Sequence, residues 1–232
     1  YAVAYGTPYI SGKDSMFNDF RGYDDEMQEI MISIPPTLLI SSIGIVADVN
    51  RCQTMDFKFP GDLIYLIGDT SDELGGAEYL AYLSEKTGAS RPGGEVPSVD
   101  AEKNIRAYRA LEAAIQDELV ASTIGLERGG LALALAKSAM AGLLGLNADL
   151  AALGSSLRDD VLLYSESQGR ILVSVSPAAR AEFEKTMKGV SCTKIGTVIE
   201  DGAVRISNGK DVLVDTTLEL LQRSYRDRFR DF

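Results

Sequence analysis

Gly61-Asp62-Leu63-Ile64-Tyr65-Leu66-Ile67-Gly68-Asp69-Thr70, followed at once by Ser71-Asp72-Glu73-Leu74-Gly75-Gly76-Ala77-Glu78-Tyr79, is the stretch on which the fold turns. Five apolar residues between a Pro-Gly pair and a Gly-Asp pair predict a strand buried on both faces. The acids and glycines after it predict a turn that leads into a short helix reaching Glu85. One buried strand delivering a polar turn and a helix is the unit from which a layered domain is built.

Downstream of it, strand-like and helix-like runs alternate at irregular spacing. Residues 88–98 are a Pro/Gly-rich loop. Asp100 is placed to cap the next helix, with Glu102 suiting its first turn. In that helix Ile105, Tyr108, Leu111, Ile115 and Leu119 recur every three or four residues, which predicts an amphipathic helix. A strand is expected over 120–124. Gly129-Gly130 then opens a helix over 131–143 that is apolar nearly all round and so buried. Further expectations are a strand over 148–153, a capped helix over 155–163, a strand over 171–175 and a helix over 178–188 started by Pro177. Strands over 190–198 and 203–206 are expected to pair as a hairpin about Asp201-Gly202. A last strand over 213–217 precedes a closing helix over 218–228. The pattern argues for a mixed α/β (α+β) domain rather than a doubly wound sheet.

Upstream, residues 1–10 predict a strand interrupted by Pro8, and residues 11–23 a polar loop. Four acids over 24–29 read as a solvated connector, and Pro35-Pro36 keeps helix out. Residues 38–46 form an apolar, β-branched run of strand length. A chain that opens at Tyr1 inside such a run reads as a piece of a longer one. The domain expectation is a tail over 1–50, a linker over 51–61 and a complete domain over 62–232.

Composition narrows the chemistry. The 232 residues carry a net charge of -11, which opposes a broad phosphate-backbone footprint, so no nucleic-acid partner is expected. No run of eighteen apolar residues appears, so no membrane span is expected. Cys52 and Cys192 are the only cysteines and lie far apart, which fits a reduced, cytoplasmic protein. There is no His, so imidazole acid–base chemistry and Ser-His or Cys-His nucleophile pairs are excluded within this chain.

Three segments carry candidate chemistry. Ser11-Gly12-Lys13-Asp14-Ser15-Met16 is not a Walker A loop, because the first Gly is missing and Asp14 stands where Ser or Thr belongs. It still offers a flexible Gly12, a cation at Lys13, an oxygen ligand at Asp14 and a hydroxyl at Ser15. That set suits phosphate and Mg²⁺, against the simpler reading of a surface turn. Asp72, Glu73, Gly75 and Gly76 offer amides toward a phosphate and carboxylates toward a metal, or else a helix capped by Asp72 with close-packed glycines. Gly129 and Gly130 stand at a helix start, where free amides favour an anion, or else serve helix packing alone.

The blocks Gly6-Thr7-Pro8-Tyr9-Ile10, Ser11 to Met16, Ile34-Pro35-Pro36-Thr37 and the opening stretch occur in one order and spacing. In that order they resemble phosphoribosylformylglycinamidine synthase, an ATP-dependent amidotransferase of purine synthesis within the AIR synthase-like superfamily. The resemblance implies a C-terminal-half fragment. Partial barrel strands of an N-terminal-type domain would precede a complete AIR synthase C-terminal-type domain, with ATP in the cleft between the two types. It implies ATP or ADP with Mg²⁺ at Gly12, Lys13, Asp14, Ser15, Gly75, Gly76, Gly129 and Gly130, with Asp14, Asp72 and Glu73 as metal ligands. It implies as partners the missing N-terminal part of the synthetase, a glutaminase domain or subunit, and formylglycinamide ribonucleotide, with self-association as a homodimer through residues 1–50. Where the family's pattern reads His-Asp-x-Ser-Glu, this chain has Ile124, Gly125, Leu126, Glu127 and Arg128. That departure makes this half a candidate for a structural nucleotide site. The alternative is a non-catalytic assembly module that docks the other synthetase domains and the glutaminase. A kinase-like thiamine phosphate enzyme of the same superfamily fits the Gly6 to Met16 and Pro35-Pro36 blocks less well.

Overall fold

A computed structural model describes residues 1–13, 19–35, 37–89 and 93–227. Two compact units divide the chain, residues 1–49 and 50–232.

In the first unit, Ala2–Tyr5 form one helical turn, α1, which ends at Gly6 in the left-handed conformation. The expected strand over 1–10 is not formed. Alanines flanking Val3 suit a helical turn, and among the described residues no neighbouring strand holds the segment extended. Phe20–Tyr23 (β1) and Glu29–Ile32 (β2) pair antiparallel instead. The Asp24 carboxylate accepts from the amides of Glu26 and Gln28 and so builds the turn that the acid-rich sequence had suggested as a mere connector. Residues 38–46 form no regular element, and Ile43 and Ile45 are almost fully exposed. The strand expected there is absent because no second strand lies beside it among the described residues of the unit.

The second unit is built on a seven-stranded sheet. In chain order its strands are Leu63–Ile67 (β3), Ser122–Gly125 (β4), Gly145–Asp149 (β5), Ile171–Val175 (β6), Cys192–Ile199 (β7), Ala203–Asn208 (β8) and Asp211–Thr217 (β9). Their order across the sheet is β4-β6-β3-β7-β5-β8-β9, with β5 and β8 parallel and the other pairs antiparallel. The expected β7–β8 hairpin is not formed. Leu146 and Ala148 drive β5 into the gap between those strands, where both become core residues. The hairpin lies one step later, between β8 and β9. Likewise the strand expected over 148–153 begins earlier, at Gly145, and Leu150–Leu153 turn into a 3₁₀ segment capped by the Asp149 carboxylate.

The helices are Glu78–Thr87 (α2), Ala101–Gln116 (α3), Gly130–Gly142 (α4), Asp159–Tyr164 (α5), Arg180–Thr186 (α6) and Leu218–Asp227 (α7). Alternation along β3 sorts them to the two faces of the sheet. Ile64 and Leu66 join Leu131, Leu135 and Leu162 from α4 and α5. Leu63, Tyr65 and Ile67 join Ala107, Leu111 and Phe183 from α3 and α6. All five residues of β3 are therefore buried, as its unbroken apolar run requires. The class is mixed α/β, as the alternation of runs predicts. Among the described residues no helix is long and apolar enough to cross a membrane.

Candidate functional site

At the C-terminal end of β3 the chain turns at Gly68, whose φ of 88° only glycine adopts without strain. The loop it starts, 69–77, meets the loop 165–170 that enters β6. The Glu166 carboxylate binds them together: its Oε1 accepts from the amide of Glu78 at 2.9 Å and from the amide of Gly129 at 2.9 Å. These are the N-terminal ends of α2 and α4. Both helix starts that the glycine pairs mark as anion sites thus converge on one carboxylate of the chain itself. A carboxylate at a helix N-terminus compensates unpaired amides and the positive end of the dipole. Arg128 adds an ion pair to Glu78 at 2.5 Å.

The glycines divide by role. Gly75 donates its amide to the Glu95 carbonyl at 2.8 Å, and a Cβ there would stand 2.4 Å from the Gly94 oxygen. Gly130 donates to the Glu127 carbonyl, has a φ of 62°, and would bring a Cβ within 2.4 Å of the Ser165 oxygen. Close backbone approach therefore selects both residues. Gly76 has open space around it and a φ of 75°, so it serves the turn. α2 starts after Ala77, so Asp72 is exposed and is not its N-cap.

Beneath these loops lies Arg170, 1 % exposed. Its guanidinium donates to the Ser167 carbonyl at 3.1 Å, to the Thr70 hydroxyl at 2.9 Å and to the Ser165 carbonyl. Burial pulls its pKa down to about 10, against the opposing charges of Glu73 and Glu166, so it stays protonated at neutral pH. Glu73 is buried as well, and its Oε1 accepts from the Ser98 amide at 2.9 Å and the Ser98 hydroxyl at 2.8 Å. Burial alone would raise its pKa. The hydrogen bonds from Ser167 and Ser98, with the Arg170 charge, bring it below the ordinary glutamate value. Ser165 and Ser167 close the network, with hydroxyls 3.0 Å apart and bonds to Ser71. Rings of Tyr79 and Tyr164 stack at 4.6 Å beside it.

Of the residues singled out in the sequence, Glu73, Gly75, Gly76, Gly129 and Gly130 come together here. Gly12 and Lys13 are exposed in the first unit, and Asp14 and Ser15 lie outside the described residues. Glu166 and Arg170 were missed. Their signal was present: a polar Ser165-Glu166-Ser167-Gln168 run and a lone cation directly before an apolar strand are unexpected at a buried position. Of the acids singled out for Mg²⁺, Glu73 accepts from Ser98 through its Oε1 and Asp72 stands exposed. Among the described residues no three acids, cysteines or histidines gather as a metal site.

Residues 60–207 match the family described as AIR synthase related protein, C-terminal domain. The phosphoribosylformylglycinamidine synthase subunit PurL of Caldanaerobacter subterraneus is 35% identical over 225 residues, which are 96% of this chain and 28% of that protein. The PurL subunit of Alkaliphilus metalliredigens is 33% identical over 92% of this chain and 27% of its own length. The chain thus spans little more than a quarter of the curated relatives it matches. The solved structure of Thermotoga maritima PurL complexed with FGAR superposes with a TM-score of 0.65 at 20% identity, over 75% of this chain and 30% of that one. The same Thermotoga protein is also solved complexed with ATP, with a TM-score of 0.57 at 19% identity over 75% of this chain and 27% of that one. With a family match across most of the sheet and the helices that cover it, this chain belongs to the AIR synthase related proteins, through their C-terminal domain.

Proposed function

We propose that this chain acts as part of the synthetase of a phosphoribosylformylglycinamidine synthase, in purine biosynthesis in the cytoplasm. The carrying observation is the 35% identity to a PurL subunit across 96% of the chain. The reaction of the whole enzyme is a carbon–nitrogen ligation. ATP activates the formamide oxygen of formylglycinamide ribonucleotide, and glutamine-derived ammonia displaces the phosphate. The missing N-terminal part of the synthetase and a glutaminase domain or subunit are the partners this reading requires.

Within that enzyme the half represented here serves a structural nucleotide site. Two features support this reading. The positions of the family's catalytic pattern hold Ile124 to Arg128, with Leu126 buried and Arg128 paired to Glu78. The Gly129 amide, which would face an anion, is already held by Glu166. Nucleotide contact is therefore assigned to Gly12, Lys13, Asp14 and Ser15, where a cation, a carboxylate and a hydroxyl follow a flexible glycine. Exposure of Ile40, Ile43 and Ile45 favours the second reading, an assembly module that docks the rest of the synthetase.

One experiment separates the readings. Calorimetry of the chain with Mg²⁺–ADP should show binding that Lys13→Ala weakens about tenfold or more, since one charge-assisted phosphate bond is lost. The same sample, given ATP, ammonia and formylglycinamide ribonucleotide, should form no amidine. Equal ADP affinity in the variant, or product formation by the chain alone, would overturn the structural-site assignment.

A further inference from the structure

A polar cavity of about 180 Å³ opens beside the first two turns of α3, between the loops that lead out of β3 and into β6 and β7. Glu166, Gly129 and Glu78 do not line it. Asn104 does. Its side chain is about nine-tenths buried, with 9% exposure. Among the described residues its carboxamide has no hydrogen-bond partner. The carboxamide is not among the fully buried atoms that lack a partner, so its head reaches the open space of the cavity, where a ligand or solvent supplies its hydrogen bonds. The glycine opposite has a matching reason. A Cβ on Gly169 would fall 2.3 Å from the Asn104 Oδ1, so residue 169 must be small for the amide head to sit where it does.

The charges around Asn104 are unequal in what they have left to offer. Every carboxylate at the cavity already has donors from the chain. Asp69 takes the Lys103 ammonium and the Ser191 hydroxyl, Glu73 takes Ser98 twice, and Asp100 caps the Lys103 amide. Donors remain in surplus. The Lys103 ammonium has three protons and Asp69 as its carboxylate partner. Arg106, one turn on and exposed, has no ion-pair partner among the described residues. The sixteen-residue helix α3 adds the positive end of its dipole at the same place. At about 180 Å³ the cavity has room for a phosphate and the first atoms bonded to it.

We propose that this cavity binds an oxyanion, the phosphate end of a small phosphate monoester, held by Lys103, Asn104 and Arg106. The site lies wholly in the unit 50–232 and does not depend on the nucleotide reading of residues 11–16. Titration of the chain with inorganic phosphate by calorimetry, at ionic strength matched with chloride, tests it without nucleotide or Mg²⁺. Saturable binding is expected, weakened about tenfold by Arg106→Ala and by Asn104→Ala, and unchanged by Arg109→Ala at an exposed position of the same helix. Circular dichroism checks that each variant is folded, and Arg106→Ala, at an exposed position, decides the matter if Asn104→Ala is not. Absence of saturable binding, equal binding by folded Arg106→Ala, or equal weakening by Arg109→Ala overturns the site.

Discussion

Gly130 and Gly76 both follow another glycine and both adopt positive φ, yet their surroundings differ. Alanine at residue 130 would meet the Ser165 carbonyl at 2.4 Å, backbone against backbone, and only a shift of the loop relieves it. Alanine at residue 76 meets nothing and pays the left-handed penalty alone. Urea unfolding should give a loss of about 1–2 kcal/mol for Gly76→Ala and clearly more than that for Gly130→Ala. Comparable losses in the two would contradict the close approach at Gly130. Glu73 sets a pH dependence. Its folded pKa lies below the ordinary glutamate value, so its contribution is complete above that ordinary value and is lost as pH falls through the folded one. The stability advantage of wild type over Glu73→Gln should therefore be flat near neutral pH and shrink below about pH 4.5. An advantage that grows on acidification would reverse the sign argued here.

At the scale of elements, two helices depend on one carboxylate. α2 has no side-chain hydrogen bond from its own N-cap residue, Ala77, and α4 has none from Gly129. Glu166 supplies both from a loop about ninety residues after one and under forty residues after the other. Glu166→Ala should cost about 2 kcal/mol, roughly the sum of two ordinary caps. Glu166→Gln keeps an acceptor and should cost about half as much. Thermal and urea unfolding of the two variants check this, and a neutral effect of Glu166→Ala would mean that water replaces the carboxylate at both ends. α3, by contrast, carries its own cap in Asp100, whose carboxylate accepts from the Lys103 amide at 2.9 Å, as its sequence predicts.

At the scale of the molecule, the chain comprises two units with unequal cores. The buried hydrophobic residues, from Phe57 to Ile206, belong to the second unit, while the described part of the first shows no buried side chain. A chain lacking residues 1–49 should therefore unfold with nearly unchanged midpoint and cooperativity by circular dichroism. The exposed Leu38, Ile43 and Ile45 lead to a second expectation: the full chain self-associates through residues 1–50, and the shortened one does not. Sedimentation of both at tens of micromolar decides it. A monomeric full chain, or equal association after the deletion, would remove these residues from the interface.

How much could be read in advance depends on how far apart the interacting residues lie. Runs whose signal is local were legible: the buried strand β3, the amphipathic α3 with its Asp100 cap, and the apolar α4. Each rests on periodicity or capping within a few residues. The opening stretch and the blocks around it likewise pointed to the family that residues 60–207 match. What the linear chain could not show was which segments become neighbours. β5 enters between β7 and β8 from about fifty residues away, because burying Leu146 and Ala148 outweighs a local Asp201-Gly202 turn. The glycine pairs identified two helix starts, but only the tertiary structure brought Glu166 to both of them. A free amide attracts whichever anion the fold delivers, and here the fold delivers one of its own.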